Sequence, residues 1–415
     1  MINLFNYLLI SNVFTSAFFL PTANFQFYIS YVFMILFIVF YLFYIGKFYI
    51  SRAFIFILLF MSLLSIFNIY VGNNILSSFL KQFIGFVLNG IVYYSLIKLN
   101  NNKIEKLIRV YLKIALIVAI IGILQEICYL IGFKYGYDYS YLTSQIRFGG
   151  TVLGMLRVTS ILPEPAHFGT AMMPAVFMAI LNIVKKENNL IGRKASFLII
   201  VSILLTFSLV VYVGIIIAFI LIMFNYQRIK LIAGCVVILA VFSFISYKYL
   251  PGIKLRVDDT VAVISGKKAL VYSNLSTLTF CSNAFIAQKS FISNPLFGSG
   301  IGSHPVTFDR YIGKIIDPNR NLPIYCKEDA GSLFFRLISE AGLFGIFLFI
   351  YFIVKFYVSR KKDGHYWIIS NSILSLFILN LIRNGNYFYG GFIFFVWAYY
   401  FTNKNMRIKA SHLSE

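Results

Sequence analysis

The chain has 415 residues, of which 60% are hydrophobic and 12% charged, and its formal net charge is +22. Soluble domains carry about 25% charged residues, so this composition excludes an ordinary soluble enzyme or binding module and defines a polytopic membrane protein. The Lys and Arg residues recur in short bursts between apolar runs instead of gathering on one face or stripe, which argues against a nucleic-acid partner and follows the positive-inside pattern.

About twelve hydrophobic spans follow in order, each near the roughly 20 residues a helix needs to cross the hydrocarbon: 4–20, 27–45, 53–70, 76–97, 108–131, 167–184, 195–209, 210–225, 231–249, 335–354, 366–382 and 387–402. The seventh and eighth are short, and splitting them lets the chain alternate sides throughout. No basic region precedes the first apolar run after Met1, so that run is expected to stay as a helix and not to be cleaved as a signal peptide. Bursts at Lys47/Arg52, Lys98/Arg109, Lys185/Arg193, Arg228/Lys230 and Lys355/Arg360, and the tail at Lys404/Arg407, fall on one side. The positive-inside rule makes that side cytoplasmic, with both termini on it, and makes membrane lipid a partner. The expected architecture is one all-α integral membrane domain over residues 1–415, with two long outward segments, 132–166 and 250–334, the second forming an external cap.

Four constellations carry polar chemistry at the outward side. The run from Arg157 to Gly169, RVTSILPEPAHFG, brackets Glu164 with Pro163 and Pro165, which force an extended turn just ahead of an apolar span. It collects a guanidinium, a carboxylate and the His167 imidazole at a membrane edge; the plainer reading is an Arg157–Glu164 pair in a capped loop. The run NPLFGSGIG, Asn294 to Gly302, lacks the strand–turn–helix setting of a nucleotide loop and reads as a tight turn. Arg336 and Glu340 stand one helical turn apart, either as a local ion pair or as charges facing a functional partner. Arg383, beside Tyr387, is the charge between the last two spans and sits on the outward side, either snorkelling or functional. The four His residues are scattered without ligand spacing, so no metal or other cofactor is expected. Cys281 and Cys326 both lie in the 250–334 segment, and a bridge between them is one of two alternatives, worth about 3–4 kcal/mol through loop closure.

Taken together and in this order, the RVTSILPEPAHFG, NPLFGSGIG and LISEAGLFG (Leu337 to Gly345) runs, on a chain of about twelve spans with a large late outer loop, resemble the O-antigen polymerase and ligase superfamily. The resemblance is to its repeat-unit polymerase branch (Wzy-type), which makes O-antigen or capsule. It covers most of the chain by topology and a small part by motif. Ligases of the superfamily carry a His-Asn pair shortly before the last motif, where this chain has Gly331 and Ser332. Relatives also often carry an Arg after the turn joining the two short spans, where Leu209 follows Thr206 to Ser208 here, so that residue's role does not transfer.

The resemblance implies a GT-C-like, metal-independent integral-membrane glycosyltransferase. It would move a growing glycan from undecaprenyl diphosphate to the non-reducing end of another lipid-linked repeat unit, on the outer face of a bacterial inner membrane, with a chain-length regulator protein as a further partner. Without a metal, a diphosphate leaving group needs guanidinium groups, which bind phosphate bidentately. The outward candidates are Arg157, Arg256, Arg310, Arg320, Arg336 and Arg383, with Glu340 and Tyr387 beside them. The acceptor hydroxyl needs a proton acceptor, for which Glu164 and His167 are the candidates. Two rival readings remain: a ligase using the same donor with a lipid A core acceptor, and a lipid-linked oligosaccharide flippase without chemistry.

Overall fold

The structure is a computed structural model, and it describes residues 1–21, 26–46, 49–143, 145–185, 187, 190–228, 234, 247–249, 251–316 and 326–414. Most of the ninth expected span and Arg320 lie outside the described residues.

The described chain is helical apart from two small antiparallel hairpins, Phe19–Pro21 with Gln26–Tyr28 and Thr151–Val152 with Met155–Leu156. In chain order the helices are α1 (Ile2–Ser11), α2 (Ile29–Ile45), α3 (Arg52–Tyr70), α4 (Leu76–Leu99), α5 (Ile104–Leu130) and the single turn α6 (Lys134–Tyr137). Then come α7 (Pro165–Lys185), α8 (Arg193–Leu204), α9 (Leu209–Asn225), α10 (Pro251–Ile264), α11 (Leu275–Ser293) and α12 (His304–Tyr311). The last are α13 (Leu333–Phe356), α14 (Tyr366–Ile382) and α15 (Phe392–Ser414).

Every expected span apart from the ninth falls on a helix, and α3, α4, α5, α7 and α13 are long and apolar enough to cross a membrane. The first span is shorter than expected. Helix α1 passes through a 3-10 turn, Asn12–Phe14, and the chain then enters the first hairpin. Ten residues of α-helix reach about 15 Å, half the hydrocarbon thickness. The split between the seventh and eighth spans occurs at Leu205–Ser208, where Phe207 takes a left-handed φ of 43° and the Leu205 carbonyl accepts a hydrogen bond from Val158 N–H.

Helix α7 is the centre of the bundle, packed on α5, α8, α9 and α14 and buried along nearly its whole length. It carries Pro174, which cannot donate to the helix ladder and disturbs the preceding turn. The Tyr111 hydroxyl, from α5, donates to the Ala171 carbonyl and accepts from Ala175 N–H at that place. Inside hydrocarbon no water would serve those groups, so a neighbouring helix does. At the periphery the pattern inverts. Phe56, Leu59, Leu63 and Phe67 on α3, and Phe347, Ile350 and Val354 on α13, are exposed large apolar side chains, while the polar residues of the same helices, among them Ser62, Ser65 and Asn68 on α3 and Arg336 and Glu340 on α13, are buried inward. Such helices suit lipid and not water.

The described residues of the 250–334 segment, 251–316 and 326–334, are largely helical. Asn274 caps α11 by accepting from Thr277 N–H, and Ser332 caps α13 by accepting from Phe335 N–H. The glycine turn between α11 and α12 and the kink of α13 are one device. At Gly342 the helix takes φ 59° and ψ −152°, and the freed groups are satisfied by the turn: Leu343 and Phe344 N–H donate to the Pro295 and Leu296 carbonyls. In return Ser299 and Gly300 N–H donate to the Ser339 and Glu340 carbonyls. A Cβ on Gly342 would stand 2.7 Å from backbone atoms of Leu296 and Gly298, so the two runs NPLFGSGIG and LISEAGLFG need glycine where they meet.

Candidate functional site

A cavity of about 600 Å³ opens at one end of the bundle, within the size range of small-molecule sites. Its walls come from the start of α2, the start of α4, the turn ahead of α7, the turn Cys326–Gly331 and the loop Arg383–Tyr389 between α14 and α15. Lys98 and Lys185, in the last turns of α4 and α7, lie at the far ends of helices whose first halves line the cavity.

Glu164, His167 and Arg383, from two widely separated sequence runs, line this one cavity. Around them the other charges are largely spoken for. Lys81 pairs with Glu328 at 3.1 Å, Lys327 pairs with Asp309 at 2.6 Å, and the Asp329 carboxylate accepts from Gly331 N–H. Among the described residues the Glu164 carboxylate and the Arg383 guanidinium have no hydrogen-bond or ion-pair partner, and His167 Nδ1 is buried without one. The cavity is therefore lined by a carboxylate and a guanidinium without protein partners among the described residues, next to a histidine whose buried Nδ1 is unpartnered: a proton acceptor and an anion holder.

The segment carrying Arg157 and Glu164 is stitched to the end of α5. Gln125 Oε1 accepts from Thr159 N–H at 3.1 Å and Ser160 N–H at 2.9 Å, while its Nε2 donates to the Tyr137 carbonyl at 2.9 Å. Glu126 accepts from Leu156 N–H at 3.0 Å. These side chains satisfy backbone groups that a buried loop would otherwise leave unpaired. The plainer reading of Arg157, a pair with Glu164, does not form. Arg157 Nη1 donates to the Gly149 carbonyl at 3.3 Å, and Glu164 remains in the cavity. Burial, then the nearby Arg256 guanidinium, hold Arg157 below the usual arginine range, with Glu164 partly opposing them. Arg157 thus stands beside the cavity and not in its lining.

The remaining candidates are placed elsewhere. Arg256 is exposed on α10. Arg310 donates to Asn73 Oδ1 and the Gly72 carbonyl, tying α12 to the α3–α4 turn. Arg336, Glu340 and Tyr387 are buried behind the cavity wall. Arg336 Nε meets Glu340 Oε1 at 3.0 Å, Nη1 donates to the Gly385 carbonyl at 3.0 Å, and the guanidinium carbon lies 4.1 Å from the Tyr387 ring centroid. The Tyr387 hydroxyl donates to Glu340 Oε2 at 3.1 Å, and burial followed by the Glu340 carboxylate raise its pKa well above the ordinary phenol value, so it stays a donor. These three hold the Arg383–Tyr389 loop in place and do not open to a ligand. The loop is wedged from the other side too, since a Cβ on Gly385 would stand 1.8 Å from the Asp329 carbonyl oxygen.

Several cavity residues carried no signal in the reading of the sequence. The Tyr28 and Tyr389 hydroxyls form a short mutual hydrogen bond, and the Tyr389 ring packs edge-on to His167 at 6.1 Å. Burial pushes the Tyr389 phenol up to about 12. Lys81 had a usable signal, as the single charge within the 76–97 span. The expected alternative of a Cys281–Cys326 bridge is not realised. Both are free thiols, Cys281 on α11 and Cys326 in the cavity wall, where burial and Asp329 push its thiol up to about 12. No group of three His, Cys, Asp or Glu side chains suited to a metal occurs among the described residues.

Beside this wall His304 is fully buried, with Nε2 at 3.0 Å from Asn283 Oδ1. Burial, then Arg336, hold its pKa down to about 3, so the folded protein keeps it neutral. The unfolded chain binds a proton near pH 6.5, so this contribution to stability is complete above about pH 6.5 and is lost as pH falls toward 3. Acidification from pH 6.5 to 5 is expected to cost wild type on the order of 2 kcal/mol more than His304→Gln. Thermal midpoints of the two proteins across that range measure it, and parallel curves would assign the acid sensitivity elsewhere.

No protein-family model, curated protein or solved structure matches the chain. Fold and site together define an all-helical, membrane-compatible protein with a polar cavity at one end of its bundle.

Proposed function

We propose that the chain is a repeat-unit polymerase: a metal-independent glycosyltransferase that extends an undecaprenyl-diphosphate-linked glycan by block transfer to a second lipid-linked unit. The observation that carries this reading is the convergence of Glu164, His167 and Arg383 in one cavity at the bundle end away from its basic termini. In this reading about twelve helices in a GT-C-like arrangement cross a bacterial inner membrane, and the cavity faces the periplasm.

Arg383 holds the donor diphosphate and offsets charge as the glycosidic C–O bond breaks and the lipid diphosphate leaves. Glu164 accepts the proton of the attacking sugar hydroxyl, and His167, braced by Tyr389, is positioned to relay it. The Gly331–Ser332 site also supports the polymerase reading over a ligase. Gly331 takes a left-handed φ of 64°, and the Ser332 hydroxyl is used twice, capping α13 and donating to the Leu381 carbonyl. No base stands there.

Purified protein supplied with lipid-linked repeat units is expected to make a ladder of products with EDTA present. A single unelongated species overturns the proposal. Transfer to lipid A core without elongation would identify a ligase instead.

A further inference from the structure

At the end of the bundle opposite the cavity, the charges do not balance within the chain. Three carboxylates stand there, and each is taken: Glu105 by His365 at 3.2 Å, Glu187 by Arg360 at 3.1 Å and Asp363 by Lys409 at 3.3 Å. Lys98, in the last turn of α4, and Lys404, on α15, are half-buried, and among the described residues neither ammonium has a carboxylate or a hydrogen-bond acceptor. Of the 14 acids in the chain, two, Asp317 and Glu415, lie outside the described residues.

The carbonyls that a lysine at a helix end ordinarily takes are occupied too. Leu96 O accepts from Asn100 N–H, Ile97 O from Asn102 N–H and Lys98 O from Asn101 N–H. Instead the two lysines share an aromatic ring. Lys98 Nζ lies 5.6 Å and Lys404 Nζ 5.9 Å from the Phe401 centroid, and Lys98 Nζ is also 5.9 Å from the Tyr94 ring. Trp397 packs on Tyr94 at 4.7 Å and Tyr400 on Phe401 at 5.2 Å, completing an aromatic wall. A ring face attracts a cation but does not neutralise it. Two like charges held together in half-buried surroundings call for an anion from outside. Aromatic side chains at the ends of apolar helices sit at the depth of lipid head groups, where such an anion is at hand.

We propose that the Lys98 and Lys404 ammonium groups, held beside the buried Phe401 ring, bind the phosphate of an anionic phospholipid head group. The proposal rests on the helices crossing a bilayer and is independent of glycosyl transfer, so a protein that fails to elongate glycans still tests it.

Full-length protein in nanodiscs of phosphatidylcholine doped with phosphatidylglycerol, released for native mass spectrometry, reports which lipid stays bound. Wild type is expected to retain phosphatidylglycerol preferentially, and Lys98→Gln/Lys404→Gln to lose about fivefold of that preference per lysine. Lys98→Arg/Lys404→Arg is expected to keep it, which separates loss of charge from loss of fold. Equal retention by wild type and the glutamine pair overturns the site. So does an equal loss in Lys103→Gln, whose lysine is exposed, because the effect is then diffuse surface charge. Displacement of the lipid by millimolar inorganic phosphate would assign the pair to free phosphate and overturn the lipid assignment.

Discussion

Replacement of Arg336 by alanine is expected to destabilise the protein by about 3–5 kcal/mol. Both partners of its ion pair are 1% exposed, so removal of the guanidinium leaves the Glu340 carboxylate buried with the Tyr387 hydroxyl as its remaining donor among the described residues. It also leaves the Gly385 carbonyl without the Arg336 bond. Removal of both charges together costs less, because the main penalty is the uncompensated charge and not the missing attraction. Arg336→Met/Glu340→Leu should therefore be more stable than Arg336→Ala, and a double-mutant cycle from unfolding in detergent measures the difference. Single variants within about 1 kcal/mol of wild type would mean that the pair is hydrated and behaves as a surface pair. The prediction separates two kinds of arginine in this chain, since Arg336 acts on the loop that carries Arg383 and not on a ligand.

Under the proposed polymerase function, Arg383→Ala is expected to retain the fold and lose about 100-fold in polymerisation rate, the usual scale for removing a group that meets developing charge. Its guanidinium has no protein partner among the described residues, so little stability should go with it. Arg383→Lys should recover part of the activity, because an ammonium holds a phosphate without the bidentate fork. Arg157→Ala should lose less, because Arg157 stands beside the cavity with a bond to Gly149. Ladder formation per unit of membrane-inserted protein measures all three. Wild-type rates in Arg383→Ala would remove Arg383 from the site, while a loss of folded protein would reassign it to structure.

The two arginines show how far a sequence can be read. That Arg336 and Glu340 share a helix face follows from their spacing, and the pair forms as that spacing suggests. Whether the face meets a ligand or a neighbouring loop depends on what packs against it, and the Gly385 carbonyl comes from 49 positions away. Arg310 looked like an outward anion holder for the same reason that Arg383 did, yet it is consumed by Asn73 and Gly72, 237 and 238 positions earlier. The Tyr28–Tyr389 bond crosses 361 positions, and no local pattern announces it.

By itself, the sequence determined what local chemistry dictates. Runs of apolar residues impose helices because a chain in lipid must satisfy its backbone internally. Pro163 and Pro165 impose a break that leaves Glu164 and His167 at a helix start. The glycines of NPLFGSGIG and LISEAGLFG mark places where backbones must touch, although not that they touch each other. Tertiary structure alone decided which charges stay free. Pairing is a competition among groups brought together by packing: Lys81, Lys327 and Arg310 each found a partner on another element and Arg336 added the Gly385 carbonyl to its local pair, while among the described residues Glu164, Arg383 and the Lys98–Lys404 pair found none.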